Sequence, residues 1–145
     1  MKALRWGAIV ILGTLLSFGC SSDINWPDVL SVDAMQGDDL VETVELSEVN
    51  EDAFTGDIPV DVYFLVHFDE TMDLASAQEN MWIEDAMRTQ IDVTLSARLE
   101  VITVTPASGA LEGGQNHVLH IGDDIEDING HELLNGYDVT FYTAP

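Results

Sequence analysis

This sequence predicts an all-β fold, an antiparallel sandwich of about seven strands. Three observations carry the prediction. Short runs of alternating apolar and polar residues recur from Val60 to Thr143, turn-forming residues stand between them, and no segment of that region carries a strong amphipathic-helix repeat.

The clearest strand is Val60–Phe68. Val60, Val62, Phe64, Val66 and Phe68 share one face by the period of two and are its expected core side; Asp61, Tyr63, Leu65 and His67 form a half-covered opposite face. Asp69–Asp73 reads as a turn, with Asp73 placed to cap one or two helical turns between Leu74 and Asn80. Strands follow at Met81–Glu84, Ile91–Leu95 and Leu99–Thr105, the last stopped by Pro106. Gly109, Gly113 and Gly114 mark 107–115 as a loop, Val118–Ile121 as the next strand, 123–135 as a long connection and Tyr137–Thr143 as the closing strand. Strand alternation assigns Phe64, Phe68, Trp82 and Phe141 to the core.

Ahead of this region the chain changes character. A basic start (Lys2, Arg5), an uncharged apolar run from Trp6 to Phe18 and the small residue Gly19 have the order of an export signal, 1–19, ending at the only cysteine, Cys20. The competing reading is an uncleaved anchor helix. The charge-free stretch from Trp6 to Ser22 lies at the short end of the roughly 17–25 residues a span needs, and Gly7, Gly13, Ser17 and Gly19 interrupt it. With one cysteine no internal disulfide forms, so an exported chain of this kind rests on a hydrophobic core, for which about 100 residues suffice. Residues 20–39 are acidic and weakly patterned and read as a solvated tether, with 40–145 as the domain and Leu40–Leu46 as a β-prone first edge strand. Trp26, beside Pro27 and outside any pattern, suits a membrane interface near the anchor.

Charge narrows the partners. Beyond residue 19 only Arg88 and Arg98 face 27 carboxylates, −25 in all, and no lysine remains. Such a surface repels nucleic acid and anionic head groups, which excludes both as partners. Salt shortens the reach of that self-repulsion and divalent cations neutralise carboxylates, so a saline or calcium-rich setting is expected, with a melting temperature that rises with NaCl.

Two family resemblances follow from particular residues. Leu16-Ser17-Phe18-Gly19-Cys20 resembles the lipobox of bacterial lipoproteins, with Ser17 where the family usually has leucine. The resemblance implies a diacylglyceryl, palmitate-type lipid on Cys20 and a membrane as partner. Ser21, where inner-membrane lipoproteins carry Asp, implies the outer membrane. In the domain, Ile58-Pro59-Val60-Asp61 leading into Phe68-Asp69-Glu70-Thr71-Met72-Asp73 resembles the opening of the bacterial Ig-like domains first described in S-layer proteins. Thr105-Pro106, Leu111, Gly113 and His117–Ile121 are similar to a later stretch of that family. Asp127-Ile128-Asn129-Gly130-His131-Glu132-Leu133 and Val139–Thr143 are similar to its last turn and strand. His117 stands for the usual aromatic and His131 for the usual Asn. The resemblance covers about 40–145 and implies an Ig-like sandwich serving as spacer or adhesive module, although a single copy argues against a spacer.

Chemistry-bearing motifs are few. Asp123, Asp124, Asp127 and Asn129 concentrate oxygen ligands in one loop, a candidate calcium site, but an EF-hand register would put Ile125 at position one. Asp69, Glu70 and Asp73 form a weaker acidic group. His117 and His120, three apart in a strand, point to opposite faces, so no shared transition-metal site is expected. No Gly-x-Ser-x-Gly elbow occurs and the only thiol is the lipid acceptor, so the chain is not expected to be an enzyme. The leading expectation is a lipid-anchored envelope protein whose domain has a structural or binding role toward an envelope protein or polysaccharide. A calcium-dependent adhesion or stability module is the alternative; a small accessory hydrolase would need a carboxylate cleft.

Overall fold

Phe64, Val66 and Phe68 turn one side of their strand inward, with Val62 just ahead of it, each at most 3% exposed, and the fold closes around that stripe. The computed structural model describes residues 26–46 and 52–145. Among the described residues the elements run β1 (Val29–Gln36), β2 (Asp39–Glu45), β3 (Asp52–Ile58), β4 (Tyr63–Phe68), α1 (Leu74–Asn80), β5 (Met81–Glu84), β6 (Gln90–Ile91), β7 (Val93–Arg98), β8 (Val101–Pro106), β9 (Asn116–Ile121) and β10 (Tyr137–Thr143). They form two five-stranded sheets, β2-β1-β4-β8-β7 (sheet A) and β3-β10-β9-β5-β6 (sheet B). Neighbours are antiparallel except β3, which runs parallel to β10.

The expected all-β sandwich is therefore present, with ten strands in place of about seven. Its centre is aromatic. Phe64 of sheet A and Phe141 of sheet B meet with ring centroids 4.9 Å apart, and Phe54 of β3 lies 5.9 Å from Phe64. The helix is set by its cap, as expected: Asp73 Oδ1 accepts from the Ser76 backbone N–H at 2.8 Å, satisfying a donor the first turn leaves open. At one side the sheet edges are joined by Glu42 of β2. It accepts from the Thr55 hydroxyl (2.6 Å), the Thr55 N–H (2.9 Å) and the Gly56 N–H (3.0 Å) of β3, and these bonds, the hydroxyl first, hold its pKa below the usual value.

Several expectations need correction. From Val29 onward the tether expected over 20–39 is a strand lying between β2 and β4, with Val29, Val32 and Ala34 buried. Bulges between Val29 and Ser31 and between Ala34 and Met35 break the period of two, which hides the strand in the sequence. β3 is hidden in the same way, because only Phe54 and Ile58 of its seven residues are buried and its register shifts against β10. Ile91–Leu95 is not one strand. The chain crosses from β6 in sheet B to β7 in sheet A at Asp92, whose carbonyl accepts from Ala107 N–H at 2.8 Å. Val60 is 45% exposed because Pro59–Val62 is a turn, closed by Val62 N–H donating to Pro59 O, before β4 begins. Trp82 lies outside the core, as described next.

Candidate functional site

Alternation along three adjacent strands of sheet B decides what its outer surface carries. β5 buries Met81 and Ile83 and leaves Trp82 and Glu84 outward; β9 buries His117, Leu119 and Ile121 and leaves Asn116, Val118 and His120; β10 leaves Asp138, Thr140 and Tyr142. Strand register puts Trp82, His120 and Asp138 in one row.

Within that row the side chains hold one another. The Trp82 indole and His120 imidazole stack at 4.9 Å between centroids and 22° between planes. His120 Nδ1 lies 2.6 Å from Asp138 Oδ1, and its Nε2 lies 3.3 Å from Glu84 Oε2, an ion-pair distance without hydrogen-bond alignment. Trp82 Nε1–H donates to Glu84 Oε1 at 3.1 Å. Tyr142 stands opposite Asn116 at the far end of the face, four residues or about 13 Å along β10 from Asp138. The result is a shallow platform on which aromatic rings are fixed beside hydrogen-bond acceptors, a combination that suits flat ligands with one apolar face and a hydroxylated rim. Alternation alone could not orient β5, because Met81, Trp82 and Ile83 are all apolar. The available signal was Glu84, which shares Trp82's parity.

The residues singled out as calcium ligands are spread over different environments. Asp123 and Asp124 are exposed after β9, and Asp124 lines an open groove with Asp73, Glu79, Glu126 and Glu132. Asp127 is 3% exposed and its oxygens are engaged by its own turn. Oδ1 accepts from the N–H groups of Asn129 (2.7 Å) and His131 (2.9 Å), and Oδ2 accepts from Asn129 Nδ2 (3.2 Å) and lies 3.0 Å from His131 Nδ1. Burial works against that charge, but the His131 and Asn129 bonds outweigh it and hold the carboxyl far below the usual range. Gly130, at φ 83, supplies the left-handed step that closes this turn. Asn129 thus serves Asp127 as a donor, and a cation here would have to displace those bonds. Among the described residues no group of three or more His, Cys, Asp or Glu side chains is placed to hold a metal ion. In the second acidic group, Asp73 caps α1 and Asp69 Oδ1 accepts from Asp28 N–H at 2.7 Å. Cys20 lies outside the described residues.

The histidines separate as the strand geometry requires. His117 is 1% exposed and stacks on Phe141 (5.1 Å, 16°), filling an aromatic position in the core, while His120 faces outward. Burial pushes the His117 pKa down, and its Nδ1 has no hydrogen-bond partner. A depressed histidine pKa means that the unfolded chain takes the proton first, so stability is lost as pH falls below the unfolded value of about 6.5. His117→Phe is expected to remove that loss. Urea unfolding at pH 7.5 and 5.5 in high salt checks it: the wild type should weaken on acidification relative to the variant.

The sequence profile of the Bacterial Ig-like domain family matches residues 42–143. No curated protein matches the chain. Among the described residues no helix is long and apolar enough to cross a membrane.

Proposed function

Because the chain belongs to the bacterial Ig-like domain family, we propose that it is a lipid-anchored module of the cell envelope that binds polysaccharide through the outer face of sheet B. The family supports the coarser part of this reading, a structural or binding module of the bacterial cell surface. The lipobox-like segment ending at Cys20 supports the anchor, and Ser21 after it supports the outer membrane.

One observation carries the choice of ligand: the stacked Trp82–His120 pair held between Glu84 and Asp138. An indole face presents a π surface to the C–H faces of a sugar ring, and the flanking oxygens accept hydroxyl protons. The strong negative charge favours a neutral or amine-bearing glycan over an acidic one. Binding without turnover suits a platform that has no enclosed cleft.

Retention on immobilised envelope polysaccharide tests the reading. Trp82→Ala should reduce retention at least tenfold, which corresponds to about 1.4 kcal/mol of binding. The melting temperature should shift little, because the indole lies on the outer face. Undiminished retention by the variant would refute the assignment, as would release of sugar products.

A further inference from the structure

The described chain begins at Trp26, at one end of the sandwich, and five contacts show which loops share that end. Val29 of β1 pairs with Phe68, and Phe68 N–H donates to Glu100 O at 2.8 Å, which brings in the β7–β8 turn. Leu134 N–H donates to Pro27 O at 3.0 Å, and the Trp26 ring meets His131 edge-on at 6.1 Å. Ile128 N–H donates to Thr71 O at 3.0 Å, which ties the Asp127 turn to the segment after β4.

This end carries an unusual set of exposed side chains. Trp26 is 49% exposed, Leu134 52%, Ile128 67% and Leu99 68%. Scattered exposed apolar residues need no explanation, but four on the loops of one end do. Leu99 has a further oddity, since it occupies a φ of 55 at its turn, where a leucine is strained and glycine or asparagine would be at ease. Beside it stands Arg98, one of two basic residues beyond residue 19.

Chain length says what lies opposite. Six residue steps separate Cys20 from Trp26, a span of at most about 20 Å even fully extended. We propose that the end of the sandwich bearing Trp26, Leu99, Ile128 and Leu134 rests on the bilayer that holds the Cys20 lipid, with a zwitterionic head-group surface as its partner. The inference rests on the lipid anchor proposed above.

The chemistry selects the lipid. Tryptophan favours the membrane interface, where its ring is buried and its N–H stays wet, and the three aliphatic side chains add apolar contact. Asp69, Glu70, Glu100, Asp123, Asp124 and Glu126 lie on neighbouring loops and repel anionic head groups, while zwitterionic ones leave only the short-range contacts. With its end on the membrane the strands stand upright, and the outer face of sheet B looks sideways along the envelope, open to a long polymer.

The test uses the full chain with Trp82→Phe, produced in a bacterium that processes lipoproteins and purified from its membranes. Removal of residues 1–19 leaves Trp26 as the only tryptophan. Mass spectrometry reads the acyl chains, and Trp26 emission is compared in phosphatidylcholine vesicles with and without bromine near the glycerol end of the chains. The expected result is an acylated protein whose emission is blue-shifted and quenched by the brominated lipid, less so when phosphatidylglycerol is added. Leu99→Asp, Ile128→Asp and Leu134→Asp together should keep the acyl mass and the β-sheet circular dichroism but lose the quenching. An acylated protein with no quenching would overturn the bilayer contact and leave the anchor standing. A protein without acyl mass would overturn both. Equal quenching in anionic vesicles would overturn the head-group assignment.

Discussion

Phe64→Ala is expected to cost about 3–5 kcal/mol and to leave much of the protein unfolded at 37 °C. Phe64 is fully buried, packs on Phe141 of the opposite sheet and touches Phe54 of β3, so one truncation opens a cavity where three strands meet. A domain of this size has about 5–15 kcal/mol of stability in all, and the carboxylate surface lowers the margin at low salt. Chemical denaturation in 1 M NaCl is the suitable measurement, because screening keeps the variant folded long enough to be compared. Phe64→Leu, which refills most of the volume, should recover more than half of the loss. A midpoint unchanged by Phe64→Ala would mean that the two sheets do not pack through this ring.

Asp127→Ala is the second large effect, at about 2–3 kcal/mol, since hydrogen bonds to a charged group are each worth about 1.5–3 kcal/mol and water replaces part of what is lost. The carboxylate closes the Asp127–His131 turn, and an isolated bridge from Asp127 to Met72 ties that turn to the segment before α1. Its pKa is depressed in the folded protein, so its contribution is complete above the unfolded value of about 3.9 and is lost as pH falls toward the folded value. Asp127→Asn keeps acceptor geometry at one oxygen but lacks the charge. Its stability should therefore fall less steeply than the wild type's below pH 4. Parallel acid titrations by circular dichroism distinguish the two slopes, and identical slopes would remove Asp127 from this role.

The sequence was legible where side-chain alternation ran unbroken. β4, β5, β8, β9 and β10 were each placed within a few residues, and Asp73 was recognised as the helix cap, because regular pairing and capping leave local patterns. What was missed traces to broken patterns. The bulges in β1 replace the spacing of two by three between Val29 and Val32, and the crossing at Asp92 turns one apparent strand into two members of different sheets. At the outer face of sheet B the sequence named Trp82 but placed it inside, since three successive apolar side chains left only the parity of Glu84 to say which side faces the partner sheet. The Trp82–His120–Asp138 row joins residues far apart in sequence and exists only through strand register.

β1 also changes the picture of the whole molecule. A strand that begins at Val29 replaces most of the tether expected over 20–39, and with the lipid proposed on Cys20 it would hold the sandwich close to the membrane, sheet B exposed along its flank. The proposed position in the envelope, bilayer contact and access to polymer all depend on the thiol at Cys20. Metabolic labelling of expressing cells with an alkyne analogue of palmitate tests that point most directly. The account predicts a labelled full-length protein and an unlabelled Cys20→Ser variant; a wild-type protein that takes up no label would contradict it.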